Sequence, residues 1–152
     1  MTKQVTEEEG TFVFHTQLIM PYRYAVGKVG SRFIRELRNK RIMGLRCPTC
    51  GITYVPPRLT CGKCFNSLTD WVQVGNQGIL MTYTVVYYQE PIHPLKAPFA
   101  YGIIQLDGAD TGIVHLLGEV NLETIQIGMR VEAVFSDECR GNILDIKYFK
   151  PV

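Results

Sequence analysis

"CPTCGITYVPPRLTCGKC", residues 47–64, sets four cysteines in two C-x-x-C pairs, Cys47/Cys50 and Cys61/Cys64, with ten residues between them. In each pair the backbone can curl so that both sulfurs face one ion, and two such knuckles complete a tetrahedral four-sulfur shell. The gap is shorter than the roughly 15–20 residues common in four-cysteine sites, but a ten-residue hairpin still brings its ends together. Four soft thiolates with no carboxylate or histidine beside them favour Zn²⁺, with iron the main competitor. Two disulfides would need an oxidising compartment, which nothing in the chain indicates. A thioredoxin-like redox site would need a C-x-x-C opening a helix in a βαβ unit, whereas this region reads as hairpins. A closed shell leaves no open coordination position, so the expected role of the metal is structural.

Upstream, "TFVFHTQLIM" (11–20) follows an acidic head and reads as an arm packing on a partner or on the body. Ser31 is a good N-cap residue, and a helix is expected from it to about Lys40, ending before Gly44. On a helical wheel Phe33, Ile34 and Leu37 share one arc, with Arg32, Arg35 and Arg38 opposite. Those arginines read either as a solvated face or as an anion-binding ridge.

Downstream of Cys64 the period changes to two. "GILMTYTVVYY" (78–88) alternates Ile79, Met81, Tyr83, Val85 and Tyr87 on one face. "FAYGIIQL" (99–106), "TGIVHLLG" (111–118), "RVEAVF" (130–135) and "ILDIKYF" (143–149) supply four more strands, the last with Leu144, Ile146 and Tyr148 on one side. Trp71 and Val72 begin a strand leaving the ribbon. Five short strands in this span, punctuated by glycines, suggest a small Greek-key barrel of the OB type, with an SH3-like barrel or a small sandwich as alternatives. The loop "YQEPIHPLKAPFA" (88–100) is stiffened by three prolines, and His93 and Lys96 project from it. His115, alternating with Val114 and Leu116, is expected on the less apolar side of its strand, half-exposed.

The whole chain of 152 residues, 46% hydrophobic and 20% charged, suits one ordinary domain or two very small ones. The expected division is an N-terminal arm and helical segment over 1–40, the ribbon over 41–70 and the barrel over 71–152. Through Asp70 there are 11 Lys and Arg against 5 Asp and Glu; from Trp71 onward there are 5 against 9. The basic first half should favour an anionic partner, such as phosphate-bearing cofactor, nucleic acid or an acidic protein face. No apolar run approaches a bilayer span, and the polar, acidic start does not read as a signal peptide. A cytoplasmic protein without a membrane partner is the expectation.

Taken in order, "GKVGSRF", "GLRCPTCG", the Pro56–Pro57 step, "APFAYGIIQLDG" and "IGMRV" are similar to the acyl-CoA-associated zinc-ribbon/OB-fold family, long filed as a domain of unknown function. The resemblance runs from about Tyr22 to Phe149. It implies a mainly β chain with a short N-terminal helical segment, then a rubredoxin-like zinc ribbon and a five-stranded OB-fold barrel. It implies Cys47, Cys50, Cys61 and Cys64 as the ligands of a structural Zn²⁺. It further implies a noncatalytic accessory protein that binds acyl-CoA and docks on a thiolase or an HMG-CoA synthase-like enzyme.

The family supplies no firm motif for CoA contacts, so candidates come from charge and fold. Arg32, Arg35, Arg38 and Arg46 suit the phosphates through forked hydrogen bonds. Tyr83, Tyr87 and the Pro91–Phe99 loop, with its His93 and Lys96, suit the walls of a pantetheine slot. The chain lacks phosphate-loop, dinucleotide and nucleophile-elbow motifs, and its carboxylates show no acid–base pairing. No catalytic residue is therefore expected, the alternative being an enzyme using His93, His115 or Cys139. A single-stranded nucleic-acid binder is the other competing expectation, because ribbons and OB barrels both serve that purpose. The net acidic barrel half counts against it.

Overall fold

The computed structural model describes residues 4–8, 10–15 and 20–152, with side chains described from 10–13 and 20–152. Among these residues the elements are β1 (Gln4–Glu8), β2 (Thr11–His15), α1 (Gly27–Arg38), β3 (Met43–Arg46), β4 (Thr53–Tyr54), β5 (Asp70–Gln73), β6 (Gln77–Val86), β7 (Phe99–Leu106), β8 (Gly112–Leu117), β9 (Arg130–Phe135), a 3₁₀ turn (Ile143–Asp145) and β10 (Ile146–Pro151). The arm expected over residues 1–20 lies partly outside the described residues. Within them, β1 and β2 pair as an antiparallel hairpin with Gln4 opposite His15.

Two sheets follow. The ribbon sheet is antiparallel in the order β4-β3-β5, and a closed barrel runs β10-β8-β7-β6-β9 with β9 returning to β10. Every barrel pairing is antiparallel except that of β10 with β8, where Phe149 meets Leu117. This is the OB order, and it selects that fold over the SH3-like barrel and the sandwich. The barrel core is filled by Leu80, Ile104, Leu106, Ile113, Val131, Ile146 and Phe149.

Helix α1 begins at Gly27, four residues before Ser31. Its N-cap is Val26 with no side-chain cap, so the capping expectation for Ser31 fails. The C-terminus closes in a Schellman arrangement, with the Lys40 N–H on the Leu37 carbonyl (2.8 Å) and the Arg41 N–H on the Glu36 carbonyl (3.0 Å). Phe33 and Leu37 enter the barrel core, while Val29 packs on the ribbon cluster. Burying each of the first two side chains contributes about 1.5–3 kcal/mol. The helix is thus attached by its own apolar stripe rather than by the cysteine site.

Three strand readings change. In β6 the register shifts between Leu80 and Thr82, leaving Met81 as the bulged residue. Ile79 and Met81 face solvent while Leu80 is fully buried, so the expected apolar face of this strand is outermost at its start. His115 is 5% exposed, whereas Val114 is 61% exposed. Its ring packs edge-on against Phe149, with centroids 5.7 Å apart. Leu144 belongs to the 3₁₀ turn and is exposed, so β10 starts only at Ile146.

The β6–β7 crossing is close enough that a methyl group at Gly78 would overlap the Gln105 carbonyl and lie 2.8 Å from Leu106 Cα. Backbone on both sides cannot yield without breaking the ladder. Gly78→Ala should therefore cost about 1–3 kcal/mol or more, measured as a loss of thermal midpoint in a circular-dichroism melt.

Candidate functional site

The two knuckles repeat one another. The Gly51 N–H donates to the Cys47 carbonyl at 2.9 Å, and the Phe65 N–H donates to the Cys61 carbonyl at 3.1 Å. Cys50 N–H approaches Cys47 Sγ at 3.3 Å, and Lys63 N–H approaches Cys61 Sγ at 3.4 Å. Each knuckle ends in a left-handed residue, Gly51 (φ 72) and Phe65 (φ 60). That conformation is free for glycine but costs a side-chain-bearing residue on the order of 1–3 kcal/mol.

All four Sγ atoms lie within 4.8 Å of one another, with Cys47 and Cys64 at 3.5 Å. A tetrahedral ion with Zn–S bonds of about 2.3 Å needs sulfurs roughly 3.8 Å apart, so the set fits zinc. Cys47 and Cys61 are buried, and Cys50 and Cys64 half-buried. The Tyr54 hydroxyl accepts from Gly62 N–H at 3.0 Å and lies 3.3 Å from Cys61 Sγ. That hydroxyl, with the neighbouring N–H groups, lowers the Cys61 thiol to about 6. Cys50 is pushed up to about 12, first by its hydrogen bond with Cys64 and then by burial. Four sulfurs this close cannot all ionise without a cation among them. Bound zinc would supply that charge and cross-link the two knuckles, leaving no position for substrate.

The candidate binding residues do not form one patch. The Arg32 guanidinium lies 4.5 Å over the Trp71 ring, and Arg35 Nε donates to the Ser31 carbonyl at 3.1 Å. The Arg38 charge helps to lower the pKa of Asp145. Arg46 is exposed at the end of β3, opposite Asp70. Tyr87 and Lys96 are exposed. His93 does not project. Its ring sits edge-on between Tyr88 and Phe99, with centroids at 5.2 and 5.3 Å, and Nδ1 accepts from Glu90 N–H at 3.2 Å.

What the structure adds is a groove on the outer face of β7 and β8. One cavity of about 260 Å³ is lined by Thr82, Tyr83, Thr84, Tyr101, Ile103 and Val114. A second, of about 150 Å³, is lined by Pro94, Tyr101, Val114, His115, Leu116, Ile143 and Leu144. Tyr101 and Val114 border both, so the two hollows adjoin and together form a trough. Of the expected residues Tyr83 lines it, as does Pro94 of the Pro91–Phe99 loop. The others escaped because an outward Ile103–Val114 pair cannot be told from core by alternation alone.

The trough's far wall is the turn over 136–145. Asp145 holds it by accepting from the N–H groups of Arg140 (2.9 Å), Gly141 (2.7 Å) and Asn142 (3.2 Å). Burial pushes this carboxyl up, but those three donors and the Arg38 charge bring it below its usual value. His115 braces the same turn, with Nε2 3.3 Å from the Ile143 carbonyl and Nδ1 accepting from Leu116 N–H at 2.9 Å. Burial lowers its pKa and keeps the ring neutral. The Cys139 thiol donates to the Ser136 carbonyl at 3.3 Å.

Two outcomes follow. Cys61→Ser should drop the zinc content to background and collapse ribbon amide protection while the barrel's strand signal survives, read by elemental analysis and hydrogen exchange. Asp145→Asn should cost about 1–3 kcal/mol at neutral pH by weakening three part-buried hydrogen bonds. Because the Asp145 pKa is depressed in the fold, its contribution is full above the ordinary carboxylate value and fades as pH falls through the folded one. The gap between the two proteins in urea melts should therefore close in acid.

Residues 35–69 match the family of the ChsH2 rubredoxin-like zinc ribbon domain, and residues 71–136 that of the ChsH2 C-terminal OB-fold domain. A DUF35 domain-containing scaffold protein of Methanocaldococcus jannaschii is 30% identical over 116 residues, covering 73% of this chain and 82% of that protein. The solved Ltp2-ChsH2(DUF35) aldolase superposes with a TM-score of 0.64 at 22% identity, over 85% of this chain and 98% of that one. A DUF35-family protein of unknown function from Sulfolobus solfataricus superposes at 0.59, also 22% identical, over 71% and 78%. Those last two likenesses show the fold alone. Both halves of the architecture and the four clustered sulfurs agree: the chain belongs to the DUF35 family of zinc-ribbon and OB-fold scaffold proteins.

Proposed function

We propose that this chain is a noncatalytic scaffold subunit that binds acyl-CoA along the trough and docks on a thiolase-type or related acyl-CoA enzyme. The observation that carries this reading is the position of the trough. OB folds bind ligands on the face of their second and third strands, between the loop joining the first two strands and the loop joining the last two. Here β7 and β8 are those strands, with Pro94 of the first loop and Ile143 and Leu144 of the second lining the trough.

The chemistry of the lining suits a pantetheine arm or acyl chain. Aromatic and branched aliphatic side chains predominate in the wall, with Thr82, Thr84 and His115 among them, and of the described residues lining it none is a lysine, arginine or carboxylate. Arg32, Arg35 and Arg38 stand on α1, and the Arg38 charge acts on Asp145 of the turn beside the trough. A phosphate-bearing head near α1 and an apolar tail in the trough would use both features. Docking on an enzyme is supported by the scaffold relative and by the aldolase complex that shares this fold.

A backbone-tracking groove for single-stranded nucleic acid should be positive along its length, and this lining is not. Cys139, His93 and His115, the residues an enzyme reading would use, are each engaged in the local hydrogen bonds described above.

Val114 is exposed, so Val114→Arg blocks the trough without touching the core. Isothermal titration should show acyl-CoA binding to the wild-type chain, alone or with its enzyme. In the variant, affinity should fall about tenfold or more, ~1.4 kcal/mol. Absence of acyl-CoA binding in both settings would overturn the proposal. Salt-dependent affinity for single strands without CoA affinity would put the nucleic-acid reading in its place.

A further inference from the structure

The floor of the trough is laid by strand register. Thr82 stands opposite Ile103, and Ile103 opposite Val114, in one row across β6, β7 and β8. The next row is Thr84, Tyr101 and Leu116. Residues paired in this way carry their side chains about 5 Å apart on one face, and both hollows take lining from these rows. Ile103 and Val114 on the floor, with Ile143 and Leu144 on the far wall, are exposed. Single apolar side chains in water are ordinary, but these four border one trough.

No cation is available to this floor from the residues that line it. His115 is the one basic side chain among them, and both its ring nitrogens are taken. Leu116 N–H occupies Nδ1, so Nε2 carries the proton and faces the Ile143 carbonyl at 3.3 Å. A second proton on the ring would displace the Leu116 bond. In the adjoining turn Asp145 is engaged by three N–H groups, and Arg140 pairs with Glu138 at 3.1 Å. Glu90 and Lys96, on the same loop as Pro94, are exposed and line neither hollow.

We infer that the trough selects the acyl group by charge, taking uncharged aliphatic chains and rejecting chains that end in a carboxylate. This rests on the reading of the trough as an acyl-CoA site, and it names the class of acyl group admitted. A methyl-ended chain covers Ile103, Val114, Ile143 and Leu144 and gains affinity with each methylene it buries. A carboxylate laid on the same floor loses hydration and meets no opposite charge. The CoA head is common to every thioester, so the difference lies in the acyl end alone. Thr82, exposed and beside Ile103 in the central row, is the position from which a side chain can change that preference.

The test compares pentanoyl-CoA with glutaryl-CoA, which share one chain length and differ at the end, methyl against carboxylate. Each is titrated calorimetrically against the wild-type chain, or against its complex with the enzyme where the chain alone does not bind. Pentanoyl-CoA should bind about tenfold or more tightly than glutaryl-CoA, and glutaryl-CoA no more tightly than free CoA. Thr82→Lys puts a cation into the central row and should cut that ratio about tenfold, while Thr82→Val leaves it unchanged. Thr84→Lys repeats the first variant from the neighbouring row if Thr82→Lys does not fold. If glutaryl-CoA binds as tightly as pentanoyl-CoA, or both bind only as tightly as free CoA, this inference alone fails. A ratio that a folded lysine variant leaves unmoved would place the discrimination off this floor and overturn the inference too. If the wild type binds no CoA thioester in either setting, the acyl-CoA reading fails with it.

Discussion

Four hydrogen bonds between the ribbon and the barrel set the geometry of everything else. Thr53 N–H donates to Asp110 Oδ2 at 2.8 Å, and the Thr53 carbonyl accepts from Asp110 N–H at 2.9 Å. Val55 N–H donates to Thr111 Oγ1 at 2.8 Å, and that hydroxyl returns its proton to the Val55 carbonyl at 2.9 Å. β4 is only two residues long, and its free edge would otherwise leave buried polar groups unmade, each costing about 1–3 kcal/mol. Asp110 and Thr111, from the β7–β8 turn, satisfy all four. Val55 meanwhile enters the barrel core, and Trp71 packs against both hydrophobic clusters. The ribbon is therefore fixed on the barrel rather than hung from it.

With that joint in place the helix can lie across both parts, Val29 on one and Phe33 and Leu37 on the other. The metal site then has a narrow task. It closes a hairpin whose own apolar content is small, and it lies away from the trough, whose lining contains no cysteine. The trough depends on different devices. The prolines and the Tyr88–His93–Phe99–Tyr101 aromatic ladder shape one loop, and a single buried carboxylate, Asp145, shapes the other. Rigid loops over an apolar floor are what a binding face on an OB barrel requires.

Much of the fold was legible in the chain. The spacing of the cysteines identified the ribbon, and period-two runs found the barrel strands, because both are local patterns. The errors differ in cause. His115 obeys the alternation, facing inward with Ile113 and Leu117, but a polar ring between Val114 and Leu116 reads as the outer face. Leu144 falls outside a strand because alternation does not show where backbone geometry interrupts it. The bulge at Met81 and the capping box that Asn142 and Asp145 form around the 3₁₀ turn are such interruptions. Neither leaves a periodic signature. The arginines of α1 were visible as a ridge, yet the cation–π contact of Arg32 depends on Trp71, thirty-nine residues away in sequence.

The sequence by itself determined the metal donors, the barrel and the charge division between the halves, since each follows from residue type at short spacing. Only the tertiary structure decided where a trough lies on the barrel's outer face. The trough is made by Tyr83, Tyr101, Val114 and Ile143, which stand on four separate segments that the closed barrel brings side by side. It likewise showed that Phe65 is strained and exposed, because a φ angle and a solvent contact belong to the folded chain. A binding face of this kind is a product of strand order, and strand order is set by which distant residues can be buried together.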